Sequence, residues 1–251
     1  MDRFPSEFED LLNRRGRRLI ADAPQFEDLL KKRRTPIVFF ENVIDAGVAR
    51  ECIRLLDEGM FPRLQRMEHP IPREALTEMT ENYTEQLRKT MRVRTATFNS
   101  GRSRVLAAAK EIGLDAMMNS KSFLRLAQSV TKHTLDGAWW GRQVICYGAG
   151  DYSGPHNDHH PEDAPIRNGF VDLHVMFSNP GVAQHLLVYE DRRFLSAVHD
   201  ISAGAAIAIY RLPFWHYTTP LMARRGHEET ARRWLLLGSF DYDPPLETLE
   251  Y

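Results

Sequence analysis

Between about Trp139 and Tyr242 the chain is built of short apolar runs separated by turn residues at intervals of about ten to fifteen. That texture belongs to an all-β sandwich or barrel. The runs are Arg142 to Tyr147, Phe170 to Phe177, His185 to Tyr189, Ala205 to Tyr210, Trp215 to Thr219 and Arg233 to Phe240. Gly148, Gly150, Gly154, Asn179-Pro180-Gly181, Gly204 and Gly226 punctuate them. The sequence has no internal repeat and no low-complexity segment.

The residues before this region read as helices. Phe8, Leu11 and Leu12, then Phe26, Leu29 and Leu30, recur at helical spacing among many charges. Pro5-Ser6 and Pro24 stand where helices begin. Pro36 to Phe40 is β-branched and aromatic, which predicts a strand. Asp45 predicts the cap of a helix from about Ala46 to Leu56, with Val48, Cys52, Leu55 and Leu56 on one face. Further helices are expected over about Arg73 to Arg92, Arg102 to Ile112 and Ser120 to Thr134. The expected class is α+β, a double-stranded β-helix (jelly-roll) core with N-terminal helices packed around it. The expected division is a helical extension over residues 1–35, a main domain over 36–242 and a tail over 243–251. Within the main domain the helical part runs to about 138 and the jelly-roll core begins at about 139.

Composition narrows the function. With 43% hydrophobic and 27% charged residues, the 251-residue chain can bury a sizeable core. Its 33 basic and 34 acidic side chains leave a net charge of −1, which gives no global attraction to nucleic acid or an anionic membrane. The basic clusters Arg14 to Arg18 and Lys31 to Arg34 read as solvated helix faces. Cys52 and Cys146 form neither a disulfide framework nor a Cys-x-x-Cys motif, which fits a reducing compartment. No secretory signal and no apolar run near the ~18 residues of a membrane span is visible, so a cytoplasmic protein is expected.

One spacing carries chemical meaning. His156-Asn157-Asp158 places an imidazole and a carboxylate two positions apart, which on an extended segment puts both on one face. A third ligand must come from elsewhere, and His216 opens an apolar run roughly sixty residues later. Two histidines and a carboxylate on one face of an octahedron leave three adjacent positions, an arrangement suited to Fe(II) and dioxygen. A lone His-x-Asp is also common by chance. His159 and His160 extend the cluster and leave the choice of ligands open.

The surrounding residues carry a resemblance. Tyr147 to Asp158, reading Tyr-Gly-Ala-Gly-Asp-Tyr-Ser-Gly-Pro-His-Asn-Asp, resembles the Tyr-x-x-Gly-x-Tyr…His-x-Asp segment of the prolyl 4-hydroxylase-like 2-oxoglutarate/Fe(II) dioxygenases. Ile201 to Ile209 resembles that family's Pro-x-x-Gly turn and following strand, and His216 to Pro220 its His-x-Val-x-Pro. Arg233 with Leu235, Leu237 and Phe240 resembles the closing strand, and Ile37 to Ile44 the opening strand and first helix. The likeness runs in order over about residues 36 to 242.

The resemblance implies Fe(II) held by His156, Asp158 and His216, with 2-oxoglutarate as co-substrate. It further implies oxidation of a C–H bond coupled to decarboxylation of 2-oxoglutarate to succinate. A carboxylate at Asp158 argues for hydroxylation or a related oxidation rather than halide transfer. The distal carboxylate of 2-oxoglutarate needs a fixed cationic fork, which arginine supplies. Strand alternation allows only one of Arg232 and Arg233 to point inward; among Arg224, Arg225, Arg232 and Arg233 the resemblance implies Arg233, whose offset from Phe240 is most similar to that of the family's closing strand, with Arg232 and Arg225 as alternatives. Tyr147 is a candidate donor to the co-substrate or a core aromatic, and His174 a contact to co-substrate or substrate. Trp139-Trp140 and Phe214-Trp215 read as core or rim packing.

Two departures put a peptidyl-proline substrate in doubt. Gly181 to Leu186 stands where many relatives have Gly-Gly followed by an acid, and Val171 to Phe177 replaces the usual Arg-x-x-Thr before Tyr-Leu-Asn. The partners expected are dioxygen and a small molecule, an amino acid or biosynthetic intermediate, with no nucleic acid and no membrane. A homodimer is compatible with the sequence. Two other readings stand beside this one: an iron oxygenase that does not use 2-oxoglutarate, and a non-catalytic jelly-roll binding protein.

Overall fold

The computed structural model describes residues 1–22, 36–69, 90–98, 103–158, 169–190 and 196–246. The helix expected around Phe26 to Leu30, the cluster Lys31 to Arg34, and His159 and His160 lie outside them, as do the side chains of Trp139 and Trp140.

The helices are α1 (Arg14–Asp22), α2 (Ala46–Leu55), α3 (Arg104–Glu111), α4 (Leu114–Met118) and α5 (Lys121–Thr131), with a 3-10 turn over Phe8–Leu11 ahead of α1. The strands begin with β1 (Ile37–Glu41), β2 (Gln65–His69), β3 (Met91–Thr97), β4 (Leu135–Tyr147), β5 (Tyr152–Ser153) and β6 (Phe170–Ser178). They continue with β7 (Val182–Gln184), β8 (Leu186–Glu190), β9 (Ser196–Asp200), β10 (Ala205–Leu212), β11 (His216–Thr218), β12 (Met222–Ala223) and β13 (Arg233–Tyr242).

One large antiparallel sheet runs β1-β10-β6-β13-β4-β3-β2, with β5 added on β3. Opposite it stand a three-stranded sheet, β11-β8-β9, and the pair β12-β7. These are the two layers of a jelly roll with helices on the outer side of the larger one. The expected fold class is the one observed.

Strand alternation builds both faces of the large sheet. On β6, Val171, Leu173, Val175 and Phe177 join Ile207, Ile209, Trp234 and Leu236 in a core completed by Phe8, Leu11, Phe123 and Leu126 from the helical side. The alternate residues Asp172 and His174 face the space between the layers, and all nine residues of β6 are buried. The helices are anchored by side-chain caps. Asp45 accepts from the Gly47 and Val48 amides at 2.8 and 3.0 Å, and Ser120 accepts from Phe123 N at 3.3 Å. Phe4, Phe8, Leu11 and Leu12, from the first residues of the chain, are all buried in the same core.

The helix expected from Arg73 to about Arg92 is corrected at its end. Residues 73–89 lie outside the described ones, but Met91 and Arg92 open β3, which with β2 extends the large sheet before Trp139. In β3 the period-two signal of Val93 and Thr95, both buried, is diluted by Arg92 and Arg94. Strands β5, β7, β9 and β12 were also not anticipated; three of them are two or three residues long, too short to display a period. No helix among the described residues is long and apolar enough to cross a membrane.

Candidate active site

His156 and His216 are brought together by backbone. Ser153 N donates to Thr218 Oγ1 at 2.8 Å, and His156 and His216 exchange both main-chain hydrogen bonds, at 3.0 and 2.9 Å. The loop from β4 into β5 is fixed from beneath by Asp151. Its buried carboxylate accepts from Gly148 N at 2.8 Å and from Arg66 Nη1 at 2.9 Å, and lies 3.3 Å from Arg92 Nε. Gly150 supplies a left-handed turn at φ +76°. Gly154 N donates to Thr90 O at 2.6 Å in a contact so close that a Cβ there would overlap the Thr90 side chain.

The two imidazoles are held in one tautomer. His156 Nδ1 lies 2.6 Å from Gly154 O and His216 Nδ1 3.0 Å from Phe214 O. A carbonyl only accepts, so each Nδ1 carries the proton and each Nε2 presents a lone pair. Both lone pairs face Asp158, with His156 Nε2 3.3 Å from Oδ1 and His216 Nε2 3.4 Å from Oδ2. One ligand atom from each of the three residues fits within 4.8 Å of the others. Two imidazole lone pairs and a carboxylate crowded together are a donor set that fits a divalent first-row metal, with backbone carbonyls orienting the rings from behind.

The same-face argument for His156 and Asp158 needs one correction. Asp158 is not on extended backbone. It adopts a left-handed φ of 58°, a conformation Asp tolerates better than most residues, and this turn swings its carboxylate toward both rings.

The cavity between the layers is lined by all three of these residues and by Tyr147, Asp172, His174, Tyr210 and Arg233, among others. Arg233 opens β13 and points inward. It is 2% exposed, its Nε donates to Ile201 O at 3.1 Å, its Nη2 lies 2.8 Å from Met176 Sδ, and its guanidinium stands 5.3 Å from the Tyr147 ring centroid. No carboxylate pairs with it among the described residues. Burial pushes its pKa down from the ordinary value, opposed by Tyr147 and Tyr210. The competing arginines point elsewhere: Arg232 covers the Phe61 ring at 4.2 Å, Arg224 donates to Pro180 O at 2.9 Å, and Arg225 is exposed.

Tyr147 shares a hydrogen bond of 3.0 Å with Ser153 Oγ, and its ring packs 4.9 Å from that of His185. His185, fully buried, was not singled out from sequence. Burial and then Arg233 hold its pKa well below 6.5, with a smaller opposing pull from the Thr219 backbone. A neutral imidazole beside a buried cation keeps the surroundings of Arg233 free of further charge. His174 stacks on Tyr210 at 3.9 Å, and Tyr210 in turn stands edge-on to His216 at 5.9 Å. Phe214 packs against His216 at 4.9 Å, whereas Trp215 is 39% exposed at the rim. Asp172 is the other residue that the sequence did not flag; an acid two positions before His174 in an apolar strand is the signal that marks it.

No protein-family model matches the sequence, and no curated protein matches it. Solved structures do match. An oxidoreductase of the 2OG-Fe(II) oxygenase family from Burkholderia pseudomallei aligns over 88% of this chain and 89% of its own, at 13% identity and a TM-score of 0.53. EvdO2 from Micromonospora carbonacea var. aurantiaca aligns over 89% and 93%, at 11% identity and 0.52. A structure described under prolyl 4-hydroxylases from Phytophthora capsici aligns over 94% and 69%, at 15% identity and 0.51. At such identities the likeness is one of fold, and the fold is the one that this chain shares with these three proteins.

Proposed function

We propose that this chain is an Fe(II)- and 2-oxoglutarate-dependent dioxygenase that oxidises a C–H bond of a small molecule. The observation that carries the reading is the pairing, in one cavity, of a His-Asp-His donor set with a buried guanidinium that has no carboxylate partner among the described residues. Burying an ion without a counter-charge costs several kcal/mol, so an anion is the natural complement to Arg233. An iron oxygenase working without 2-oxoglutarate leaves that cation without a purpose, and a binding scaffold needs neither feature.

In this reading His156, Asp158 and His216 hold Fe(II), with the Gly154 and Phe214 carbonyls fixing both rings. Arg233 receives the distal carboxylate of 2-oxoglutarate as a two-pronged donor. Tyr147 orders that end of the cavity through Ser153, and neutral His185 walls it off. The iron, when bound, supplies the activation of dioxygen that couples decarboxylation of 2-oxoglutarate to substrate oxidation. The layers on either side limit access of water to the reacting centre, with Asp158, 25% exposed, on its open side. An amino acid or biosynthetic intermediate fits a cavity enclosed between two sheets better than a folded protein does.

The test is anaerobic loading with Fe(II), followed by turnover of 2-oxoglutarate in air. One equivalent of iron and measurable succinate release are expected. Stoichiometric iron without any succinate, across broad metabolite pools, refutes the co-substrate; no iron uptake refutes the whole reading.

A further inference from the structure

The cavity has a second buried charge, of opposite sign and at a different place from Arg233. Asp172 is 4% exposed and lines the cavity, yet among the described residues its Oδ1 has no hydrogen-bond partner. His174 Nε2 lies 3.9 Å from Oδ2, beyond hydrogen-bond reach, and His174 Nδ1 is likewise buried without a partner. A strand that is apolar apart from these two residues and Ser178 at its end thus presents, on one face, polar atoms with no partner among the described residues. Leaving such groups unsatisfied costs far more than burying methyl groups in their place. The register neighbours on that face of the sheet are Tyr210 and Ser239 for Asp172 and Ala208 and Leu237 for His174, none of which carries a charge that pairs with them.

Position separates this charge from the one on Arg233. In the register of β6 and β13, Arg233 lies opposite Ser178 and Ser239 lies opposite Asp172. Six residues of strand therefore separate the two rungs, about 20 Å at 3.3–3.4 Å per residue. That is the spacing of the backbone rungs; the Arg233 side chain reaches to Met176, four residues from Asp172, and it is the opposite sign of the two charges that calls for different ligand groups. Tyr210 lies between them and the donor set: it pairs with Asp172 in the β10–β6 register, stacks on His174 and stands edge-on to His216. A ligand held at Asp172 is thereby placed along the wall that leads to the His-Asp-His cluster.

We propose that Asp172, with His174 beside it, forms a subsite for the ammonium group of an amine-bearing small molecule. This deepens the dioxygenase reading and rests on it for the identity of the ligand as substrate. A full positive charge is the complement that offsets a buried carboxylate; a neutral hydroxyl or amide donor offers only part of that compensation. The His174–Tyr210 stack supplies an aromatic surface beside it, which favours the alkyl stem and the cation of such a molecule.

The experiment uses full-length protein loaded anaerobically with Fe(II) and saturated with 2-oxoglutarate, titrated with putrescine and L-lysine, and with 1,4-butanediol as the uncharged counterpart. Saturable binding of an amine is expected, at least about tenfold tighter than the diol. Asp172→Asn should abolish that preference while raising the thermal midpoint of the ligand-free protein, because it removes an uncompensated charge without changing shape. No saturable amine binding, an unchanged preference in Asp172→Asn, or a lowered midpoint in that variant each overturns the proposal. If 2-oxoglutarate itself does not bind, the co-substrate reading fails separately, and the amine titration repeated without it still decides this one.

Discussion

Arg233→Met separates a residue kept for a ligand from a residue kept for the fold. The wild-type guanidinium is almost wholly buried, and its described partners are one carbonyl, a thioether and an aromatic face. Removing it relieves several kcal/mol of uncompensated desolvation. Against that stands the Ile201 carbonyl, left without its donor, at about 1–3 kcal/mol. The ligand-free variant should therefore melt no lower than wild type. Its 2-oxoglutarate affinity should fall by about 2–5 kcal/mol, the usual result of truncating one partner of a buried, hydrogen-bonded charge pair. That is a loss of about 30-fold to several thousand-fold in Kd. Calorimetric titration of the Mn(II)-loaded protein measures the affinity, and scanning calorimetry the midpoint. Arg233→Lys, which keeps the charge but not the fork, should fall between the two. A midpoint lowered by more than about 10 °C, with 2-oxoglutarate binding intact, refutes the reasoning and makes Arg233 a structural residue.

His156→Ala and Asp158→Ala should each reduce iron from one equivalent to background by metal analysis after anaerobic loading; iron retained in either variant removes that residue from the ligand set. Gly154→Ala places a Cβ against the Thr90 side chain and 2.7 Å from Thr90 O. Because the Gly154 carbonyl orients His156, the variant should lose about 1–3 kcal/mol of stability and bind iron at least about tenfold more weakly, both read in one calorimetric series. His185 predicts a pH dependence. Its folded pKa is held well below 6.5, so below that pH the unfolded chain binds a proton that the native state does not. Its contribution is intact above about pH 6.5 and declines as pH falls from there toward the folded value, by up to about 1.4 kcal/mol per pH unit. Urea midpoints from pH 7.5 to 5 should show a shallower slope in His185→Phe, and an identical slope assigns the acid sensitivity to other groups.

The parts of the fold legible in the sequence are those where one period dominates. The β6, β10 and β13 runs are long and apolar, and Asp45 caps α2 as expected from its position. Strand β3 was hidden because arginines occupy its outer positions, and β5 and β12 because two residues show no alternation. The His156-x-Asp158 spacing located the centre, but extended geometry was the wrong reason for its convergence. A left-handed residue at Asp158 and reciprocal hydrogen bonds between His156 and His216 do the joining, and neither is encoded in spacing.

Arg233 and Asp172 show the same difference from the other side. Both sit in runs that are mostly apolar, and a sequence reads such a polar residue either as a strand edge or as a residue facing solvent. Burial of all nine β6 residues removes the solvent option for Asp172, and the inward turn of Arg233 removes it there. Once solvent is excluded, a charge must be satisfied by the protein or by something the protein binds. Among the described residues the protein supplies no counter-ion to Arg233 and no hydrogen bond to Asp172 Oδ1. The two unmet charges, on rungs about 20 Å apart along the strands and in a cavity shared with His156, Asp158 and His216, are of opposite sign, and the proposed co-substrate and amine subsites are the complements that would satisfy them.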